Sequence, residues 1–132
     1  MNYCNTKKIA GTTVLAIRPI VEEALKKEGF GVLTEIDMQA TMKKKLDKDY
    51  LPHLILGACN AVYADKVLSL DPNISTMLPC NVTIRDLGTG EVEIAAIDPS
   101  AAMSGIGNKL LEIYANEVNE KLIKVLNSIK IN

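Results

Sequence analysis

The sequence predicts a single domain of mixed α and β structure. Its 132 residues are the usual size of one domain, and 48% of them are hydrophobic, which is enough for one core. The clearest local patterns are a β-hairpin over residues 80–96 and a long amphipathic helix near the C-terminal end. Because no linker rich in proline, glycine or serine interrupts the chain, we expect one domain over residues 1–132.

Residues 12–17 can be interpreted in two ways. Their β-branched side chains favour a strand, after which Pro19 would begin a helix at its preferred first position. Their apolar side chains also recur at helical spacing behind Thr13, a good helix cap, and this favours one longer helix that tolerates Pro19. With either interpretation the helix ends at Gly29, because glycine readily takes the left-handed conformation that terminates helices.

Strands and helices alternate in the rest of the first half. The strand at residues 54–58 is apolar on both faces and is expected to be central and buried. Asp37 and Asn60 have the short polar side chains that cap helices. The predicted strands are 3–9, 30–36 and 54–58, and the predicted helices run from Asp37 to Leu46 and from Ala61 to Ser69.

The hairpin is predicted in register as well as in position. Apolar and polar residues alternate on both of its strands, as in a sheet with one buried face. A three-residue loop over residues 88–90, with its last glycine in the left-handed region, places Ile84 opposite Ile94 and Arg85 opposite Glu93. A four-residue loop would place Ile84 opposite a glutamate, so we reject it.

The last predicted element is a helix over residues 108–128. Its apolar side chains recur every 3.6 residues and form one stripe that can pack on a sheet. The stripe consists of Leu111, Tyr114, Val118, Leu122, Val125 and Ile129. Asp98 and Pro99, between the hairpin and this helix, are a turn and helix-start signal.

Composition and charge argue against two classes of partner. The 15 basic and 16 acidic residues are interspersed, and 4% of residues are aromatic, so the chain lacks the basic patch and stacking rings of nucleic-acid-binding proteins. No apolar run reaches the ~20 residues that cross a bilayer, and the first residues lack a signal-peptide pattern. We therefore expect no nucleic-acid partner, no membrane partner and a cytoplasmic location.

Few residues are suited to catalysis. His53 is the single histidine, and the sequence contains no Gly-x-Ser-x-Gly elbow, no Cys-x-x-Cys pair, no Gly-x-Gly-x-x-Gly turn and no phosphate-binding glycine loop. The sequence therefore predicts no catalytic residue and no cofactor, and it favours a protein that is not an enzyme.

Two cysteines, each followed by an asparagine, are the candidate ligand-binding residues. Cys59-Asn60 follows a predicted strand and precedes a helix, whose dipole can lower a thiol pKa. Cys80-Asn81 begins the hairpin, with Cys80 on the apolar face of its strand. We favour the simpler interpretation, in which the cysteines are small core residues and the asparagines are caps or turns. Cys4 makes the number of cysteines odd, which favours free thiols.

A metal site is not predicted. Strand parity places His53 and Cys59 on one face, and Cys80 would be a third ligand. His53 and Cys59 are nevertheless ~20 Å apart along an extended strand, which is too far for one coordination sphere.

Four segments resemble one protein family in their order and spacing. They are residues 28–37 (EGFGVLTEID), 56–60 (LGACN), 77–82 (MLPCNV) and 96–99 (AIDP). Over nearly its whole length the chain is similar to the bacterial and archaeal family known as domain of unknown function 302 (DUF302). Ala61 departs from the family pattern, in which proline is common at this position.

The resemblance implies a fold but no particular activity. It implies a two-layer α+β fold, in which a curved, mostly antiparallel sheet of about five strands has helices packed on one face and a long C-terminal helix. It also implies a homodimer and one continuous helix after Thr13.

Two functional hypotheses remain. The first is a non-catalytic homodimeric module that binds a small ligand or assembles with a partner protein. The second is a thiol-dependent redox or metal-handling protein in which Cys59 is the reactive group and Cys80 is its partner. We favour the first, because the sequence does not show the electropositive, accessible setting that activates a cysteine.

Overall fold

Strands and helices lie close to their predicted positions. In the computed structural model, which describes residues 2–131, the strands are β1 (Cys4–Ala10), β2 (Phe30–Asp37), β3 (His53–Asn60), β4 (Cys80–Asp86) and β5 (Glu91–Ile97). The α-helices are α1 (Val14–Lys27), α2 (Met38–Leu46), α3 (Ala61–Leu70), α4 (Pro99–Met103) and α5 (Lys109–Ser128). Short 3₁₀ helices lie at Pro72–Met77 and Ser104–Ile106. Among the helices of residues 2–131, none combines the length and hydrophobicity needed to cross a bilayer.

The strands form one five-stranded sheet in the order β1-β5-β4-β3-β2, and every neighbouring pair is antiparallel. One face of the sheet packs against α1 and α5 and forms the main core. In this core Leu56 is opposite Val82 and Ile84 is opposite Ile94, and all four side chains are fully buried. The predicted α+β fold is therefore confirmed.

Residues 14–17 begin one long helix, α1, so the alternative of a strand over residues 12–17 is wrong. Thr13 caps α1, because its side-chain oxygen accepts a hydrogen bond from the Ala16 N–H at 3.1 Å. Pro19 lies inside the helix on its exposed side, whereas Ile17 and Val21 are completely buried. Burial of these side chains outweighs the backbone hydrogen bond that proline cannot donate.

The hairpin has the predicted register. Ile84 pairs with Ile94, Arg85 pairs with Glu93, and Gly90 is in the left-handed region with φ of 89°. The Arg85 and Glu93 side chains form an ion pair at 2.9 Å. This pair is partly exposed and contributes less than ~1 kcal/mol, so burial of the isoleucines is the larger stabilising term.

Details of several elements differ from the sequence prediction. β3 is longer than residues 54–58, and β1 is shifted by one residue from 3–9. The 3₁₀ helix at Pro72–Met77 was not predicted, whereas the start of α4 agrees with the helix-start signal at Asp98 and Pro99. Each follows a capping aspartate: the Asp71 side chain accepts a hydrogen bond from the Asn73 N–H, and the Asp98 side chain accepts from the Ser100 and Ala101 N–H groups. The aspartate marks where each short helix begins, but the length of the helix depends on packing against helices that are distant in sequence.

Replacing Gly57 by alanine is expected to lower the free energy of unfolding by about 1–3 kcal/mol. A Cβ at Gly57 would collide with the Thr34 side chain and approach the Pro79 ring to 2.7 Å. Urea titration measures the change. Gly31→Ala on the neighbouring strand is the matched control, because a Cβ there meets no atom within 4 Å. Equal effects of the two substitutions would contradict the prediction.

Candidate functional site

The junction between β3 and α3 positions Cys59 and Asn60. The Asn60 side chain accepts a hydrogen bond from the Tyr63 N–H at 3.4 Å and thereby caps α3. It also donates a hydrogen bond to the Glu28 carbonyl at 3.3 Å, which ties α3 to the end of α1. The expectation that Asn60 is a helix cap is confirmed, and its side-chain oxygen and nitrogen each have a protein partner.

Pairing of β3 with β4 brings Cys80 into the same region. Cys80 is opposite Ala58, the residue before Cys59, and it packs against the main core. Both cysteines are free thiols and are half-buried. The two are far apart in sequence, so only this strand pairing makes them neighbours.

Cys59, Asn60 and Cys80 line one narrow, partly open cavity of about 30 Å³. The other walls are almost entirely apolar and come from β2, α3, α4 and α5. They include Phe30, Tyr63, Val67, Met103, Tyr114 and Val118. Three of the four candidate ligand-binding residues therefore share one cavity.

The cavity lies where two hydrophobic clusters meet. The larger cluster joins the sheet to α1 and the second half of α5, and it includes Phe30, Ala58 and Val118. The smaller cluster joins α3, α4 and the first half of α5 and includes Val67 and Met103. Both clusters contribute to the cavity wall. Because protein interiors normally close such gaps, the cavity is a local packing defect at the boundary between the clusters.

Two tyrosines on the cavity wall are held by contacts with each other and with charged groups. The rings of Tyr63 and Tyr114 meet edge to face, with their centroids 6.3 Å apart and an angle of 71° between their planes. The Lys66 ammonium lies 5.0 Å and 5.3 Å from the two ring centroids, within the range of cation–π attraction. The Glu117 carboxylate, followed by burial, raises the pKa of the Tyr63 phenol.

The Cys80 sulfur lies in an environment that favours the neutral thiol. Burial raises the pKa of the Cys80 thiol to about 11, and the nearby Cys59 adds to this shift. The Cys80 thiol therefore stays protonated at neutral pH. Since the thiolate is the nucleophile and the metal ligand, the setting works against both roles for Cys80.

The structure separates Asn81 and His53 from this cavity. Asn81 lies on the opposite face of the sheet, where it lines a shallow groove with Thr83. His53 lies at the other end of β3 from Cys59, and burial together with the Arg85 charge lowers the pKa of its imidazole. Among residues 2–131, no three side chains of the His, Cys, Asp or Glu type are grouped so that they could hold a metal ion.

Sequence reasoning did not identify Tyr63 and Met103 as cavity residues. Tyr63 follows Asn60 by three residues, so the cap itself places it one helical turn above the end of β3. Met103 lies on α4, whose place beside α5 depends on contacts distant in sequence. Tyr114 was predicted as part of the apolar stripe, and it is half-buried at the cavity.

The family model described as "Domain of unknown function DUF302" matches residues 6–129. The chain belongs to the DUF302 family. The crystal structure of an uncharacterized conserved DUF302 protein from Bacillus stearothermophilus has a TM-score of 0.88 to this chain at 25% identity, covering 97% of this chain and 98% of that chain. No curated protein matches the sequence significantly. The resemblance and the fold that it implied are confirmed, and no activity comes with them.

The raised pKa of Cys80 predicts that this DUF302 protein loses stability between about pH 9 and pH 11. In that range the unfolded chain has lost the thiol proton that the native state still holds, so the free energy of unfolding falls by up to about 2–3 kcal/mol. Urea titrations across this range measure the slope. Tyrosines and lysines also titrate in this range. The wild-type slope is therefore compared with the slope of the Cys80→Ala variant, which should lack the contribution of the Cys80 thiol. Identical slopes would show that the thiol is not held neutral.

Proposed function

We propose that this DUF302 protein is a non-catalytic homodimeric binding module. Its small-molecule ligand inserts an apolar end into the cavity lined by Cys59, Asn60 and Cys80. The observation that carries the proposal is the cavity itself, which lies open at the boundary of two otherwise closed clusters. Stable proteins normally fill such space with side chains, and a ligand fills it in their place.

The chemistry of the wall favours an apolar group over a polar one. Asn60 already uses both ends of its amide in the α3 cap and in the bond to Glu28. The thiols of Cys59 and Cys80 form only weak hydrogen bonds. A polar ligand group placed here would exchange strong hydrogen bonds with water for few and weak ones, which costs about 1–3 kcal/mol.

The size of the cavity limits the length of the ligand's apolar end. A space of about 30 Å³ accommodates a methyl or ethyl group, and a longer chain requires a wall to move. The helix α4, which has five residues, contributes Pro99 and Met103 to the lining. Unbranched methionine adapts its rotamer to irregular spaces, so Met103 can widen the cavity without moving the sheet.

The polar end of the ligand would lie in an adjoining cleft. This cleft, about 480 Å³ and open to solvent, shares Asn60 and Tyr63 with the cavity. Lys66 and Lys121 line it together with Glu28, so both signs of charge are present. The ligand is therefore an amphipathic molecule with a short apolar end and a solvated polar end.

The alternative is a thiol-dependent redox or metal-handling role for Cys59 and Cys80. Their shared cavity supports it, but the raised pKa of Cys80 does not. Iodoacetamide labelling of the native protein, read by mass spectrometry, separates the two roles: rapid labelling at pH 7 at either site favours the thiol role.

The three free cysteines support the proposed cytoplasmic location, where thiols stay reduced.

Short alkanols are expected to enter the cavity and shift the NMR signal of the Met103 ε-methyl group. Propan-1-ol, butan-1-ol and pentan-1-ol are titrated into protein labelled with ¹³C at its methionine methyl groups. Met103 should respond in a saturable way, because it lines the cavity, whereas Met42 on α2 should not. The absence of a saturable response at Met103 would contradict the proposal.

A cavity-filling variant provides the control. Ala64→Leu on α3 adds three carbon atoms to the wall and should abolish the alkanol response. Ala16→Leu makes the same change at an exposed site on α1 and should leave the response intact. If both variants still respond, the alkanols bind elsewhere.

A further inference from the structure

We propose that the open face of the sheet, the face turned away from α1 and α5, is the docking site for a second copy of this chain. The inference rests on the homodimer in the proposed function and adds the surface that forms it. The side chains of this face lie at alternate positions of each strand, opposite in direction to Leu56, Val82 and Ile94. The helix α2 packs against β2 and β3 but leaves Ile36 on this face 46% exposed.

The middle of the open face is uncharged across all five strands. The register aligns one row of side chains perpendicular to the strands. In spatial order this row is Thr6, Ala95, Thr83, Ile55 and Ile36. A solvated face of an antiparallel sheet normally carries polar side chains. Two isoleucines and an alanine at its centre are therefore typical of a face that is covered in the assembled protein.

The charges of the open face lie towards one end of the strands, Glu91 at the margin and the others in the row next to the uncharged one, and the two signs offset each other. This row contains Lys8, Glu93, Arg85 and His53, each opposite the next. Arg85 donates to the Glu93 carboxylate from two nitrogens, at 2.9 Å and 3.2 Å. Because Glu93 neutralises the Arg85 guanidinium within each copy, Arg85 can approach the partner's Arg85 without an uncompensated positive charge.

The two halves of the open face have complementary shapes. A groove of about 330 Å³ lies over β1, β5 and β4, with Thr6, Thr83 and Ala95 among its lining residues. The bulkier Ile55 and Ile36 lie on the other half, over β3 and β2. Because β4 is the middle strand, a two-fold axis parallel to it places the bulky half of each copy over the groove of the other.

The same axis defines individual contacts. It sets Ile55 against the partner's Ala95, a large side chain against a small one, as in well-packed sheet sandwiches. It sets His53 against the partner's Glu93, and it brings Thr83 close to the partner's Thr83. The axis therefore sets a large side chain against a small one and an imidazole against a carboxylate, and this fit favours a second copy of the chain as the occupant.

The area of the face is close to what a stable dimer needs. Five strands about 4.8 Å apart, each about seven residues long, give a projected area on the order of 550 Å². A standard interface buries about 800 Å² on each partner, and the relief of side chains adds to the projected area. Tyr3, which borders the groove and is 67% exposed, extends the surface at its rim.

Sedimentation equilibrium of the wild type and two charge variants tests the proposal. The wild type is expected to have the mass of two copies, and Ala95→Glu to weaken association at least tenfold, because it buries an unpaired charge at the centre of the interface. Ala16→Glu carries the same change on an exposed helical site and should stay dimeric. Circular dichroism shows whether each variant is folded.

A cross-linking experiment decides the question even if Ala95→Glu fails to fold. In a Cys4→Ser background, Thr83→Cys should form a disulfide between two copies when diamide, a thiol oxidant, removes two electrons and two protons. Ser69→Cys on the exposed side of α3 should not. A wild-type monomer would overturn both the homodimer and this inference. A dimer unaffected by Ala95→Glu and not cross-linked through Thr83→Cys would overturn only the assigned face.

Discussion

The register of the β3–β4 pair is the constraint on which the rest of the structure depends. It places Leu56 opposite Val82 and Ala58 opposite Cys80, so the apolar side chains of both strands turn towards the helices. A shift by one residue would turn the whole set to the other face of the sheet. The position of Cys80 at the cavity and the uncharged row on the open face both follow from this one alignment.

Elements whose residues carry their own pattern could be predicted from the sequence. The hairpin register follows from alternation and from the glycines around Thr89, and both are local. The segment containing Pro19 is the exception, because its propensities suit a strand as well as a helix. Burial of Ile17 and Val21 against the sheet decides in favour of the helix, and this burial depends on tertiary contacts. Resemblance to a family supplied the answer that local physics left open.

The candidate site was predictable only in part, because its residues meet through long-range contacts. Alternation along β4 already implies that Asn81 and Cys80 lie on opposite faces, and the structure places them so. Nothing in the pattern around Cys59 indicates a cavity, since the gap results from an imperfect fit between two clusters. One of these clusters depends on Met103 of α4, a helix too short to carry a periodic signal.

The proposed ligand site and the proposed docking face share one structural segment, Leu78–Cys80. Leu78 and Cys80 line the cavity, whereas Pro79 between them packs in the space left by the missing side chain of Gly57. Gly57 is opposite Asn81, on the open face. Neighbouring side chains of this segment therefore face the two proposed sites, because successive side chains of an extended chain point to opposite faces of the sheet. The two surfaces lie on opposite sides of the sheet but are connected through three residues.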